Sequence, residues 1–150
     1  MACTGLTTAD LHHRDRCGHT PLHYAAIDKK LDDVNALIAA GAEIDAREDA
    51  GQCTPLMFAA QKDANIEVMK ALIEAGFDVN LTNNKGESPL CIATRSYGTS
   101  GAGADMLHYL LEQGAGPHTK TNNGTSVIEY VKIVNDKPGR RAAFGSLLDE

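Results

Sequence analysis

Apolar residues cluster along the chain in short segments that are separated by turns rich in glycine and polar residues. Two segments show the spacing of an amphipathic helix face: Leu31, Val34, Leu37 and Ile38, and then Ile66, Met69, Leu72 and Ile73. Such segments predict helices near residues 21–28, 31–39, 55–62, 65–75, 89–96, 104–113, 126–135 and 140–148. None approaches the roughly 18 apolar residues that cross a bilayer, so we expect no membrane segment.

A short phrase recurs in front of the first helix of each predicted pair. It is Thr-Pro-Leu-His at residues 20–23, Thr-Pro-Leu-Met at 54–57 and Ser-Pro-Leu-Cys at 88–91, which places the three prolines 34 residues apart. A fourth copy, at 124–131, has lost the proline. No unit of this size can bury its own apolar face, so the repeats predict a solenoid of stacked units.

Each unit also contains residues that begin and end helices. A Thr or Ser before each proline is the expected N-cap, and the proline takes the first helical position, where it needs no N–H; the caps are Thr20, Thr54 and Ser88. A glycine past each second helix can adopt the left-handed conformation that ends it; these are Gly41, Gly76 and Gly114. The polar segments 15–18 and 84–86 suit hairpin turns.

These phrases resemble the ankyrin repeat, whose hallmark is Thr-Pro-Leu-His-x-Ala in a period near 33 residues. The match places repeats near 15–47, 48–82, 83–120 and 121–150, after an N-terminal half repeat or tail at 1–14. The second repeat has about two extra residues, one of them in the turn before Thr54. The resemblance implies a single all-α domain over 1–150, an α-solenoid of stacked helix-turn-helix units joined by β-hairpin-like loops.

The resemblance further implies a non-enzymatic module that binds proteins through hairpin tips and the inner face of the first helices. At the tips the implied contact residues are Arg16, Cys17, His19, Asp49, Gln52, Asn84, Lys85 and Glu87. On the inner face they are Tyr24, Ile27, Asp28, Phe58, Gln61, Lys62, Ile92, Arg95 and Ser96. A glycine-rich insertion at 97–104 adds Tyr97 as a candidate. Alternatively, Tyr24, Phe58 and Ile92 fill gaps between helices, and the insertion is tolerated drift.

Composition narrows the classes of partner. The chain has 150 residues and a formal charge of −6, which argues against nucleic acid and gives a weak preference for a basic protein surface. The first eleven residues do not have the basic and apolar segments of a signal peptide. Four cysteines are too few for a disulfide scaffold, so we expect reduced thiols and a cytoplasmic location.

Motifs for metal binding or catalysis are weak. The histidines and cysteines around the first two hairpins match no zinc-finger spacing, so the spacing predicts no metal site; they are His12, His13, Cys17, His19, His23 and Cys53. The resemblance places His23 at the family's hydrogen-bonding histidine and thus implies a structural role for it. We expect Cys91, which replaces that histidine, to be an inert apolar residue, and Asn80 to bond within its own loop. Glu48 and Asp49 are interpreted as solvated charges. No catalytic motif occurs, and we expect neither an enzyme nor a cofactor.

The leading hypothesis is a protein-binding module that acts as an inhibitor, an immunity protein or a regulatory subunit. The alternatives are a scaffold fragment of a larger ankyrin protein and, less favoured, an enzyme or a metal-binding protein. We expect a monomer or weak self-association. Because residues 1–14 hold no helix pair, part of the first repeat's apolar face is expected to be exposed unless the tail covers it.

Overall fold

The structure is a computed structural model that describes residues 8–61, 65–96 and 103–133, together with Gly145. Eight helices occur in these ranges: α1 (Thr8–Leu11), α2 (Pro21–Ile27), α3 (Leu31–Ala39), α4 (Pro55–Ala59), α5 (Ile66–Glu74), α6 (Pro89–Ser96), α7 (Gly103–Glu112) and α8 (Val127–Ile133). The described ranges contain no strand, only an isolated antiparallel bridge between Lys120 and Ser126. The predicted all-α solenoid is confirmed.

The predicted helices agree with α2 to α8 to within a few residues, except that α4 ends at Ala59 rather than near residue 62. The short helix α1 was not predicted. The helix predicted at 140–148 and the loop at 97–102 lie outside the described residues. In the described part of the chain, no helix is both long enough and apolar enough to cross a membrane.

Helices α4 and α6 begin as the repeated phrase predicts. Pro55 opens α4, and the hydroxyl of Thr54 accepts the N–H of Met57 at 3.4 Å. The Ser88 hydroxyl accepts the Cys91 N–H at 3.3 Å in the same way. These bonds satisfy donors that a helix N-terminus otherwise leaves free.

The helices form two layers that share one core. Helices α2, α4, α6 and α8 pack side by side as an inner row, and α3 and α5 pack behind them as part of an outer row. The leucine after each repeated proline is fully buried in the inner row; these residues are Leu22, Leu56 and Leu90. Because the same position is buried in successive repeats, one continuous core runs along the stack.

The N-terminal tail closes the first repeat. Helix α1 packs on α2, and its Leu11 is buried in the core cluster. Ala25 and Ala26 are buried as well. The tail thus provides the cover without which part of the first repeat's apolar face is expected to be exposed.

Candidate functional site

The candidate site is built on the hairpins that join successive repeats. In the first hairpin, Asp15 and His19 close the turn through a backbone bond of 3.1 Å, and Gly18 donates its N–H to the Asp15 carbonyl at 3.0 Å. The Asp15 carboxylate accepts the N–H groups of Cys17 and His19 at 2.9 Å each. Gly18 has a φ of +80°, which L-residues rarely adopt.

The second hairpin is one residue longer, as the sequence predicted, and it begins with Glu48 where the first hairpin begins with Asp15. The Glu48 carboxylate accepts the N–H groups of Ala50, Gly51 and Cys53 at 2.6, 2.7 and 3.0 Å. The interpretation of Glu48 as a solvated charge is wrong, because its side chain turns inward and the residue is 3% exposed. Burial raises the pKa of Glu48, but the three backbone donors outweigh it and hold the pKa below its usual value.

The third hairpin returns to the shorter pattern with an amide in place of a carboxylate. Asn83 accepts the N–H groups of Lys85 and Glu87 through its side-chain oxygen, at 2.9 and 3.0 Å. Gly86 takes the left-handed position, with a φ of +75°. A polar side chain thus satisfies the inner backbone donors of each of the first three turns.

Backbone hydrogen bonds join each hairpin to the next. Asp49 donates its N–H to the Cys17 carbonyl at 2.8 Å, Asn84 to Gly51 at 2.9 Å, and Asn122 to Lys85 at 2.9 Å. We call the four hairpins at 15–19, 48–53, 83–87 and 121–125 the hairpin platform. Because each interval between hairpins has such a bond, the spacing of the tip side chains is fixed by the backbone.

The structure exposes most of the predicted tip residues and buries one of them. Exposed residues are Arg16, Cys17, Asp49, Asn84 and Lys85. His19 and Gln52 are half-buried. Glu87 is buried, because its carboxylate faces Asn83 and Arg95 rather than solvent. The prediction that Glu87 is a surface contact is corrected to a supporting role beneath Arg95.

The contact residues predicted on the inner helices differ in their exposure. Tyr24 and Ile27 are 47% and 40% exposed, which makes them two of the three exposed large apolar side chains among the described residues. Ile92 is 3% exposed and packs in the core, so the prediction of a partner contact is wrong and the gap-filling alternative applies to it. The remaining placements divide into three groups. Asp28, Gln61 and Arg95 are exposed, Phe58 and Ser96 are half-buried, and Lys62 and Tyr97 lie outside the described residues.

The first hairpin and α2 are tied together by Tyr24. Its hydroxyl donates a hydrogen bond to the second carboxylate oxygen of Asp15. This bond, aided by the backbone donors, lowers the pKa of Asp15 to about 2. The His19 ring lies beside Tyr24 and Phe58, with ring centroids 5.5 and 5.6 Å apart. A cluster of three aromatic rings, those of His19, Tyr24 and Phe58, therefore lies between the first hairpin and the inner helices.

Two open grooves run between the hairpins and the inner helices. One has a volume of about 670 Å³ and lies between the third and fourth hairpins, with Cys91 and Tyr130 in its wall. The other has a volume of about 390 Å³ and extends toward Gly51 and Gln61. Both are lined by Lys85 and Arg95, so the two grooves adjoin.

Arg95 is held in position at the junction of the grooves. Its guanidinium donates to the Glu87 carboxylate, which also accepts the Asn83 side-chain amide at 3.0 Å. Burial raises the pKa of Glu87, but the bonds from Arg95 and Asn83 outweigh it, so the pKa is below its usual value. Because the Arg95 side chain remains about half exposed, the other donors of its guanidinium can face a ligand.

The buried histidine and the thiols have structural positions. His23 accepts the Thr20 N–H at Nδ1, at 3.0 Å, and its Nε2 lies 3.1 Å from the Cys53 carbonyl, so His23 links the first repeat to the second. Burial lowers the pKa of His23, which keeps the ring neutral near pH 7. Burial raises the pKa of the Cys53 and Cys91 thiols, which disfavours nucleophilic thiolates there. The structural role predicted for His23 is confirmed.

Several bonds between repeats were not predicted. Arg14 donates to the Arg47 carbonyl, and Arg47 donates in turn to the Thr82 carbonyl, both at 2.8 Å. The 33-residue spacing of the two arginines is the signal that could have identified them. Asn80 donates to the Gly114 carbonyl at 3.1 Å, so its side chain bonds to the next repeat rather than only within its own loop.

One group of potential metal ligands occurs among the described residues. The side chains of Asp15, Cys17 and His19 each offer a ligand atom, and these atoms lie within 4.8 Å of one another. The hairpin brings them together because they alternate along the chain around one turn. Asp15 is the ligand that the spacing of histidines and cysteines alone does not reveal.

Comparisons with known proteins agree with the architecture. A family model described as ankyrin repeats, in three copies, matches residues 22–123. The chain is 33% identical to ZDHHC13 of Danio rerio, named as a palmitoyltransferase, over 85% of this chain and 19% of that protein. It is 28% identical to human ankyrin repeat and SOCS box protein 6, over 75% of this chain and 27% of that protein.

A third relative differs widely in size from this chain. Human transient receptor potential cation channel subfamily A member 1 is 35% identical over 71% of this chain and 9% of the channel. The chain thus spans less than a third of the length of each of these three relatives. What the relatives share with it is the repeat region.

Proposed function

Since the chain belongs to the ankyrin repeat family, whose repeats generally mediate protein–protein interaction, we propose that it binds a protein partner on the hairpin platform and the adjoining inner helices. Binding, rather than catalysis, is the proposed activity. The observation that supports this most directly is the pair of adjoining grooves between the hairpins and the inner helices, with Arg95 at their junction.

The chemistry of the exposed side chains supports the same face. Tyr24 and Ile27 offer apolar area, and Arg16 and Arg95 offer charged donors. Tyrosine and arginine are among the residue types that most often dominate binding energy at interfaces. Side chains on a hydrogen-bonded platform also have less freedom to lose on binding, which lowers the cost of association.

Charge gives a modest guide to the partner. Among the exposed charges of the proposed face, Arg16, Lys85 and Arg95 lie with Asp28 and Asp49. The carboxylates of Asp15, Glu48 and Glu87 are held in hydrogen bonds within the hairpins. The face itself therefore favours neither sign. The net charge of −6 supports a basic partner only through long-range attraction during approach.

An inhibitor, an immunity protein and a regulatory subunit would all use this mode of binding. Each would cover part of a partner with a stiff surface. The lengths of the relatives favour a second candidate, in which these repeats are a docking segment within a larger scaffold. Intact-mass measurement of the protein from its natural source separates the two, because a scaffold would be much heavier than 16.0 kDa.

Site-specific photocrosslinking tests the proposed face. A photoreactive residue at Ile27 or Gln61 should crosslink a partner in an extract of the source cells, whereas the same residue at Asn35, which is exposed on outer helix α3, should not. Once the partner is purified, I27A/Q61A should weaken its binding at least about tenfold, and the matched outer-face control D32A/N35A should not. Equal crosslinking from Asn35, or full binding by I27A/Q61A, would contradict the proposal.

A further inference from the structure

The first hairpin contains side chains whose chemistry the proposed protein binding does not use. We propose that Asp15, Cys17 and His19 form a binding site for a zinc-class divalent cation, with the fourth coordination position open. This proposal is independent of the protein partner, and it replaces the expectation from cysteine and histidine spacing that the chain binds no metal.

The distances between the three side chains suit a single small ion. Their ligand atoms lie within 4.8 Å of one another, and Asp15 Oδ1 is 3.5 Å from His19 Nδ1. Zinc bonds of about 2.0–2.3 Å at tetrahedral angles place neighbouring ligand atoms about 3.3–3.6 Å apart. The carboxylate–imidazole pair therefore already has the separation of two ligands on one ion, and Cys17 needs only a side-chain adjustment.

The second observation is an unsatisfied nitrogen. His19 Nδ1 is buried, and among the described residues it has no hydrogen-bond partner. Buried polar atoms in native proteins nearly always have a partner, and an orphan indicates an absent ion, water or proton. If the ring is neutral with the proton on Nε2, the Nδ1 lone pair faces a carboxylate, which is repulsive. A cation between the two groups would turn this repulsion into two coordinate bonds.

The carboxylate is fixed before any ion arrives. The N–H groups of Cys17 and His19 hold Asp15 Oδ1, and the Tyr24 hydroxyl holds the other oxygen. Bonds of this kind orient metal-ligating carboxylates in known sites. The two N–H groups occupy both lone pairs of Oδ1, so an ion bound there would displace one of them, whereas Oδ2 keeps a free lone pair beside the Tyr24 bond.

The ligand set identifies the class of metal. A thiolate and an imidazole beside one carboxylate favour Zn²⁺ over Mg²⁺ and Ca²⁺, which prefer oxygen ligands. On binding, the Cys17 thiol loses its proton to solvent and a sulfur–metal bond forms, with no change of oxidation state. Because Cys17 is exposed, the fourth position faces solvent and can take a water molecule or a ligand from another molecule.

Cobalt substitution tests the site on the intact, reduced chain. Titration with Co²⁺ should saturate at a single ion per chain and give a thiolate-to-cobalt charge-transfer band in the near ultraviolet. Cys17→Ser should abolish the band and weaken Zn²⁺ affinity, measured by competition with a chromophoric chelator, at least about tenfold. The matched control Cys91→Ser, which changes a half-buried thiol away from the hairpin, should leave both unchanged. Unchanged circular dichroism spectra establish that the variants fold.

Further measurements distinguish a metal ion bound at His19 Nδ1 from a proton on the same atom. His19→Ala should also weaken Zn²⁺ affinity at least about tenfold, while His12→Ala, at an exposed histidine outside the hairpin, should not. In a pH-stat, Zn²⁺ should release about one proton per wild-type chain at pH 8 and less from Cys17→Ser. A charge-transfer band that persists in Cys17→Ser would overturn the proposal. So would His19 ring ¹⁵N shifts that respond to pH but not to Zn²⁺, because the orphan nitrogen would then hold only a proton.

Discussion

The second hairpin allows a sharp test of how turn length and side-chain length match. Glu48 spans a turn closed between residues 48 and 53, whereas Asp15 spans a turn closed between residues 15 and 19. The longer side chain reaches across the extra residue. In E48D the carboxylate retreats by about one C–C bond, roughly 1.5 Å, which is too far to keep all three backbone bonds.

The size of the effect follows from those bonds. A hydrogen bond to a charged acceptor contributes about 1.5–3 kcal/mol, and leaving a buried donor unpaired has a similar cost. Loss of one or two of the three bonds to Glu48 should lower the free energy of unfolding by about 2–4 kcal/mol. For a chain of this length that corresponds to a fall in Tm of roughly 5–15 °C.

Deleting Gln52 from E48D should restore stability. Gln52 has a φ of +59°, the position that Gly18 holds in the first hairpin. Without it, residues 48–51 would read Asp-Asp-Ala-Gly, which matches the shorter turn and places Gly51 at the left-handed position. We expect the free energy of unfolding of this double variant to lie within about 1 kcal/mol of the wild-type value, because a compatible turn restores the lost bonds.

Urea unfolding followed by circular dichroism measures all the variants. The single deletion completes the double-mutant cycle, and D49N, at the exposed neighbouring carboxylate, is the matched control with an expected change below about 0.5 kcal/mol. If E48D is as stable as wild type, turn length and side-chain length need not match. The same follows if the double variant loses at least as much unfolding free energy as the two single variants lose together.

Three further predictions use the same unfolding assay. Gly18→Ala should destabilise the chain more than Gly41→Ala, although both glycines have positive φ. A Cβ at Gly18 would lie 2.8 Å from a backbone nitrogen of the next hairpin, whereas a Cβ at Gly41 would meet nothing within 4 Å. Equal losses of unfolding free energy would contradict this. Arg47→Met should cost about 1–2 kcal/mol, since it removes a bond to a carbonyl of the next repeat but keeps most of the apolar stem; no loss would show that this bond does not stabilise the stack. Stability should fall as pH drops below about 6.5, because the buried, neutral His23 has a pKa lowered from 6.5. It should fall again below about 4.5, because the pKa values of Glu48, Glu87 and Asp15 are lowered in the folded chain and the unfolded chain binds those protons first. Glu48→Gln should make this lower step shallower, and an unchanged step would contradict the contribution of Glu48.

The sequence was sufficient for features that repeat locally. The prolines at a 34-residue interval, their Thr and Ser caps and the glycines after the second helices depend on neighbours within a few residues. Such contacts are set by local backbone geometry, so the pattern predicted α2 to α8 closely. The structural role of His23 was also predictable, because the resemblance implied it.

Features that depend on how repeats stack were not predictable in the same way. Glu48 and Glu87 were each expected at the surface, and each is buried; Ile92, for which contact and gap-filling were both open, is buried too. Whether a polar residue in a hairpin faces solvent depends on which backbone donors the turn leaves unpaired, and one inserted residue changes that. Asn80 bonds across to the next repeat because of the spacing between units, which a single chain's residue pattern does not contain.

Amide hydrogen exchange at the junctions between hairpins tests the central claim that the hairpins form one continuous, stiff platform. The backbone amides of Asp49, Asn84 and Asn122, which donate across the three junctions, should exchange at least about 100-fold more slowly than in an unstructured peptide of the same sequence. Exchange of these three amides at peptide rates, while amides within α4 and α5 stay protected, would show that the hairpins move independently and would contradict it.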